Sequence, residues 1–220
     1  MKYYPINLNI KDKRCLVIGG GQVAERKVEN LLGAGAKVVV VSSRLTPKLG
    51  KLSCKSRIEN IARNYRKGDL KGAVLAFGAT NDPRVNRRIL QEAREEGVLL
   101  NSVDDPKNCD FTVPSMVSRG DLLISISTGG KSPALSQKIR KELEESFGKE
   151  YETLLNLLSA VRERLMEMGS NSEQNKAKFK KLINSNLLGL IKDRKIEQID
   201  ELLQDILGKG YCLAELNLSL

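Results

Sequence analysis

The sequence predicts an α/β protein: a doubly wound parallel sheet through the first half, then a strand pair and a helical tail. Three observations carry this. Short, nearly pure apolar runs alternate with helical patterns over the first 102 residues, the order that buries a parallel sheet on both faces. A glycine cluster, Gly19-Gly20-Gly21, stands between the first apolar run and the first helical pattern. From Lys149 onward only the helical period remains.

The elements follow in order. Cys15-Leu16-Val17-Ile18 reads as a buried strand ended by the glycines. Val23 to Ala34 reads as a helix, with Val23, Ala24, Val28, Leu31 and Leu32 near one face and Gly35 as its stop. Lys37 to Val41, nearly all valine, is a second strand, and Arg57 to Tyr65 holds a third. Ala73 to Ala79 is the fourth. Asp82 caps a helix that Pro83 opens, and the helix runs to Glu96 and stops at Gly97. Val98 to Ser102 is the fifth strand. A polar loop from Val103 to Asp110 comes next, then strands over Phe111–Val117 and Leu122–Thr128. Ser132-Pro133 opens a helix reaching about Phe147. Tyr151 to Met168 is a helix broken by Gly169-Ser170-Asn171-Ser172, and two or three shorter helices follow, among them Ile196–Leu207.

Composition narrows the function. The chain has 220 residues, 40% hydrophobic and 29% charged, which is the balance of a soluble globular protein of one large domain or two small ones. No apolar run approaches the ~18 residues of a membrane span, and Met1-Lys2-Tyr3-Tyr4-Pro5 does not open a signal peptide. Four well-separated cysteines without a C-x-x-C pair argue against disulfides and a thiolate zinc site, so a reduced, cytoplasmic home is expected. There is no histidine, which removes histidine triads and imidazole metal ligands and leaves acid–base work to carboxylates, Lys, Cys, Tyr or solvent. Residues 1–150 hold 27 Lys+Arg against 17 Asp+Glu, and residues 151–220 hold 10 of each. The basic first part suits an anionic partner. With 4% aromatics, no Trp and no helix-turn-helix pattern, nucleic acid is not expected to be that partner.

Gly19-Gly20-Gly21-Gln22-Val23-Ala24 fits G-x-G-x-x-A between a strand and a helix. Gly19 and Gly21 let the backbone turn tightly and approach a pyrophosphate. Gln22 and Val23 open a helix whose free N–H groups and dipole favour an anion, which points to a dinucleotide. The acid that commonly follows the second strand is replaced by Ser42-Ser43-Arg44. The serines suit ribose hydroxyls and Arg44 tolerates a 2′-phosphate, so NAD and NADP both stay open on these residues. Thr80, within Gly78-Ala79-Thr80-Asn81-Asp82, leaves the fourth strand at the carboxyl edge, where small residues allow a ring to approach. Asn101-Ser102-Val103-Asp104-Asp105-Pro106 leaves the fifth strand at the same edge, and Asp104 is the candidate general base. Thr128-Gly129-Gly130-Lys131-Ser132-Pro133 is a second glycine loop feeding a helix, a candidate anion site without P-loop spacing. Cys15 reads as core and Cys109 as incidental.

The run from Gly19 to Lys27, the loop Asn101–Pro106, Phe111-Thr112-Val113-Pro114-Ser115 and Thr128–Pro133 occur together and in order. In these the chain resembles precorrin-2 dehydrogenase and the N-terminal module of siroheme synthase, well over residues 1–150 and only in size and character beyond. The resemblance implies a homodimer with a Rossmann-type NAD-binding domain (1–112), a dimerisation segment (113–147) and a C-terminal helical domain (148–220). It implies oxidation of precorrin-2 to sirohydrochlorin with NAD⁺ and, in some members, Fe²⁺ insertion to give sirohaem. The family's catalytic aspartate falls on Asp104. Its nucleotide contacts fall on Gln22, Val23, Ser43 and Arg44, and Asn101, Ser115, Thr128, Gly129, Gly130 and Lys131 are taken as substrate-facing. No resident metal is expected, since the macrocycle nitrogens hold the iron. The substrate's eight carboxylates match the basic first part. The alternative is an NAD-sensing regulatory module of a transport or channel system, which would need neither Asp104 nor the second glycine loop.

Overall fold

The apolar runs pair as five parallel strands in the order β3-β2-β1-β4-β5. The computed structural model describes residues 2–80, 82–103, 105–167 and 172–218. The strands are β1 (Arg14–Ile18), β2 (Lys37–Val41), β3 (Glu59–Ile61), β4 (Leu75–Gly78) and β5 (Leu99–Ser102). Side chains alternate between the two faces of the sheet. Cys15, Val17, Val38, Val40, Leu75 and Phe77 meet helices α1 (Gln22–Gly33) and α2 (Pro47–Cys54) on one face. Leu16, Ile18, Val39, Val41, Ala76 and Leu100 meet α3 (Pro83–Glu96) on the other. A sheet covered on both faces needs apolar residues at successive positions, which is why these strands read as unbroken valine and leucine runs. The chain order reverses between β1 and β4, and the carboxyl ends of the strands at such a point are where sheets of this kind take ligands.

Glu92 is 2% exposed on α3 and accepts from Gly68 N at 3.0 Å, Leu70 N at 2.9 Å and the Tyr65 hydroxyl. It thereby pins the long connection between β3 and β4. Asp69 holds the same connection through a two-pronged pair with Arg63 at 2.6 and 2.8 Å and by accepting from Arg66 N. The Arg63 guanidinium holds the Asp69 carboxyl below its usual range.

The chain divides into two compact units, Met1–Val113 and Pro114–Leu220. The second begins with an antiparallel pair, β6 (Ser115–Arg119) and β7 (Leu122–Ile126), followed by α4 (Pro133–Ser146). Its helical core gathers Leu157, Val161 and Leu165 of α5 (Glu150–Glu167) and Leu182 of α6 (Ser172–Ile183). Leu187 and Ile191 of α7 (Leu187–Lys192) and Ile199, Leu203 and Leu207 of α8 (Ile196–Leu207) complete it. No helix among the described residues is long and apolar enough to cross a membrane.

Three expectations change. The helix α2 carries the same start signal as Asp82-Pro83, with Thr46 as cap and Pro47 in the first turn, yet its short pattern does not stand out in the sequence. The strand expected from Phe111 starts only at Ser115. Asp110 exchanges bonds with Leu100 along the outer edge of β5, Phe111 turns inward to pack edge-on against Phe77 at 5.5 Å, and Pro114 has no N–H for a ladder. The second strand of that pair ends at Ile126, because Ser127 and Thr128 already belong to the glycine loop. Of the helix break expected at residues 169–172, Ser172 already opens α6, and residues 169–171, like the end of the preceding helix at Met168, lie outside the described residues.

Candidate nucleotide and substrate site

The three glycines do different work. Gly19 has φ +121°, and a Cβ there would lie 2.3 Å from the Ala79 carbonyl oxygen. At Gly20 a Cβ would lie 2.0 Å from the Arg44 carbonyl oxygen and 2.7 Å from Ser42 Oγ, so the turn after β2 packs directly on the glycine backbone. Gly21 is different: its φ is −87°, and a Cβ would meet nothing within 4 Å. It is the N-cap of α1, and no side chain caps that helix. The first-turn N–H groups therefore face open space above Gly21. Ala24, 1% exposed, lets the helix press against the sheet.

The turn after β2 is internally closed. Ser42 Oγ donates to the Arg44 carbonyl at 2.6 Å and accepts from Arg44 N at 3.3 Å. Ser43 Oγ donates to Asn64 Oδ1 at 3.2 Å. The exposed Arg44 side chain makes no ion pair among the described residues. Gln22 and Val23 line a cavity of about 650 Å³ with Glu25, Arg26, Thr46, Pro47 and Lys48. Within it Thr46 Oγ1 donates to Glu25 Oε2 at 2.6 Å, and Lys48 pairs with Glu25 and Glu29.

At the end of β4, Asn86 sets the polarity of Thr80. Its amide nitrogen donates to the Thr80 carbonyl at 3.1 Å, which turns Oδ1 toward the threonine hydroxyl at 2.6 Å. The hydroxyl must donate to Oδ1, so its lone pairs are what remain for a ligand. Ser102, 9% exposed at the end of β5, has a buried Oγ with no partner among the described residues, 3.8 Å from the position of a Cβ on Gly78. An orphaned buried hydroxyl at this edge is a place a ligand group would satisfy. The open space at Gly21, the uncapped helix and this hydroxyl together fit a dinucleotide. Asn86 carried no signal in the sequence beyond its residue type; Ser102 lies in the run that leaves the fifth strand, where nothing marked its hydroxyl as the one left without a partner.

Asn101 donates to the Phe111 carbonyl at 2.9 Å, a tie that holds the returning chain. Cys109 is similarly structural: Sγ accepts from Ser102 N at 3.1 Å, lies 3.2 Å from the Ser102 carbonyl, and burial pushes its thiol up rather than activating it. The buried Cys15 thiol is pushed up to about 11. Asp105 accepts from Asn108 at 2.7 Å within the 3₁₀ turn Pro106–Asn108. Asp82 caps α3 as expected, accepting from Arg84 N at 2.8 Å. Asp104 and Asn81 lie outside the described residues. No group of three or more Cys, Asp or Glu among the described residues forms a metal cluster.

The remaining candidates belong to the second unit. Ser115 opens β6 opposite Ile126. Thr128 Oγ1 accepts from Ser132 N at 3.2 Å and lies 3.1 Å from the Ser132 carbonyl, closing a loop in which Gly129 and Gly130 take φ of +62° and +82°. Lys131 is exposed on it, and Ser132 caps α4 through Leu135 N.

Comparison with known proteins gives matches along most of the chain. Residues 6–115 match the family described as "Putative NAD(P)-binding", and residues 119–146 match the central family of sirohaem biosynthesis proteins. A siroheme synthase of Methylobacillus flagellatus is 39% identical over 79% of this chain and 37% of its own length. One from Thioalkalivibrio sulfidiphilus is 32% identical over 96% of this chain and 43% of its own. The chain thus spans about two fifths of these curated relatives. A solved chain named "SirC, precorrin-2 dehydrogenase" superposes with a TM-score of 0.77 at 25% identity, covering 93% of this chain and 98% of that one.

Proposed function

Because the chain belongs to the NAD(P)-binding family matched over residues 6–115, continued by the sirohaem central segment, we propose that it is an NAD-dependent precorrin-2 dehydrogenase. The observation that carries this is the pairing, in one chain, of an open helix N-terminus behind a packed glycine turn with that central segment. The similarity to the named dehydrogenase over nearly all of that chain supports it.

Bound NAD⁺ supplies the hydride acceptor. The chain's part is to bind, orient and take a proton. The N–H groups of α1 receive the pyrophosphate above Gly21. Arg44 and the turn Ser42–Ser43 face the adenosine end, and the Thr80 hydroxyl accepts from a ligand donor at the other. Asp104 takes the proton that leaves as hydride is lost; positioned bases of this kind contribute on the order of 10²–10⁴-fold. Asp105, already engaged by Asn108, is the natural control. Lys131 and the Thr128–Gly130 loop, with Asn101 and Ser115, serve the anionic macrocycle. Fe²⁺ is a second substrate in this reading.

The chain works as a cytoplasmic homodimer joined through residues 113–147, with 148–220 as a helical domain. The β6–β7 pair leaves strand edges open, and Met116, Leu123 and Leu135 are exposed apolar side chains in this segment.

The test is incubation with precorrin-2 and NAD⁺, read by the appearance of the sirohydrochlorin spectrum, followed by addition of Fe²⁺. Turnover should require NAD⁺, and Asp104→Ala should lose most of it while Asp105→Ala keeps more. No spectral change with the wild-type protein overturns the proposal; no change on adding Fe²⁺ removes only the second activity.

A further inference from the structure

Lys27 has no role in the site as drawn so far. It sits on α1 three residues past Ala24 and lays its ammonium 5.1 Å from the centre of the Phe77 ring. Phe77 is one residue from the end of β4, lies in register with Asn101 on β5, and receives Phe111 edge-on. Asn101 in turn holds the Phe111 carbonyl. The lysine is therefore anchored to the carboxyl-end cluster that contains Asn101, on the α1 face of the sheet.

No described carboxylate pairs with it. The ring face fixes the cation's position without carrying a charge of its own. Burial pushes the Lys27 amine down from its usual value, Arg26 pushes the same way, and Cys109 acts weakly against them. Lys27 makes no ion pair among the described residues. The carboxylates nearest it on α1, Glu25 and Glu29, are paired with Lys48, and Asp105 and Asp110, which act on Cys109, accept from Asn108 and Leu100 N without pairing with Lys27. A partly dehydrated cation without a counter-ion is unfavourable until an anion completes it.

We infer that Lys27 is a substrate-recognition residue whose ammonium receives a carboxylate of the anionic substrate beside Asn101. This rests on the dehydrogenase reading above, which supplies a polycarboxylate. The ring under the ammonium gives the contact a direction: a ligand reaches the cation from the side away from Phe77.

Two variants test it. Lys27→Met keeps an unbranched side chain over Phe77 and removes the charge; Lys27→Arg keeps the charge. Three quantities are measured: KM and kcat for precorrin-2, the Kd of sirohydrochlorin by absorbance titration without turnover, and the Kd of NAD⁺ by calorimetry. Loss of a hydrogen bond to a charged group predicts a rise in KM and in the sirohydrochlorin Kd of roughly 10–100-fold for Lys27→Met. The Kd of NAD⁺ should stay within about twofold of wild type, and Lys27→Arg should recover most of the loss. The salt dependence of sirohydrochlorin binding should also be shallower in Lys27→Met. Unchanged sirohydrochlorin affinity in Lys27→Met, or a lowered Tm with KM unmoved, overturns the inference and assigns Lys27 to packing. If wild-type protein oxidises precorrin-2 and Lys27→Met matches it, only this inference fails. If wild type does not oxidise precorrin-2, the dehydrogenase reading fails and takes the inference with it.

Discussion

Gly21→Asp should raise folding stability and abolish cofactor binding at once. Gly21 is the N-cap of α1, has an extended backbone at φ −87° and ψ −172°, and would hold a Cβ with nothing within 4 Å. An aspartate there meets no steric obstacle and can accept from the uncapped first-turn N–H groups. The gain over glycine is a few tenths of a kcal/mol from the cap plus about 0.3–1 from the helix dipole. For a unit of this size each kcal/mol moves Tm by roughly 4–8 °C, so a rise of a few degrees is expected. The same carboxylate stands where the proposed function puts the pyrophosphate. A like charge within ~4 Å costs about 4 kcal/mol at an effective dielectric constant of 20, about a thousandfold in Kd. Gly20→Ala should do the opposite to stability. Its methyl would lie 2.0 Å from the Arg44 carbonyl oxygen, which Ser42 holds in place, so backbone must move by at least about 1 Å. Overpacking of this kind costs ~1–3 kcal/mol, and NAD⁺ affinity should fall only because the turn has shifted. Thermal melts and calorimetric titration with NAD⁺ measure both. A Gly21→Asp protein that melts as low as Gly20→Ala, or binds NAD⁺ within about tenfold of wild type, refutes this division between packing and ligand space.

Two further outcomes follow from the buried polar groups. Glu92→Ala leaves the buried Leu70 N–H and Tyr65 hydroxyl without their acceptor, and the Gly68 N–H as well, and should cost roughly 2–5 kcal/mol, measured by denaturant unfolding. Glu92→Gln, which keeps an oxygen for Gly68 and Leu70, should cost clearly less. Arg63 holds the folded Asp69 pKa below its unfolded value near 3.9. The pair's contribution is therefore complete above that value and is lost as pH falls through the folded one. The Tm difference between wild type and Asp69→Asn should be constant near neutral pH and shrink below about pH 4; a difference that grows on acidification would reverse the assigned sign.

The sheet was legible because its physical cause is local. A strand covered on both faces must be apolar at consecutive positions, and Lys37-Val38-Val39-Val40-Val41 appears in the structure with the bounds read from the sequence. Helix α3 was equally plain, since Asp82, Pro83 and Gly97 mark its ends by backbone chemistry alone. The boundary of β6 was not, because Phe111 and Val113 are as apolar as strand residues but spend that character packing on the α1 face of the sheet. Apolarity announces burial; it does not say whether a ladder or a packed turn provides it.

At the candidate site the place where an anion could approach is legible from the residues alone: a glycine turn between strand and helix needs no tertiary knowledge to be seen. It could not divide the work among the three glycines, because Gly20's need comes from a turn 24 residues later in the chain. Nor could it find Asn86, the state of the Ser102 hydroxyl, or the absence of a charge partner for Lys27 among the described residues. Those properties depend on which groups are already paired, and pairing is fixed only when distant segments meet. Residue type sets what a side chain can donate or accept. Tertiary structure decides which of those capacities are spent inside the protein and which are left for a ligand.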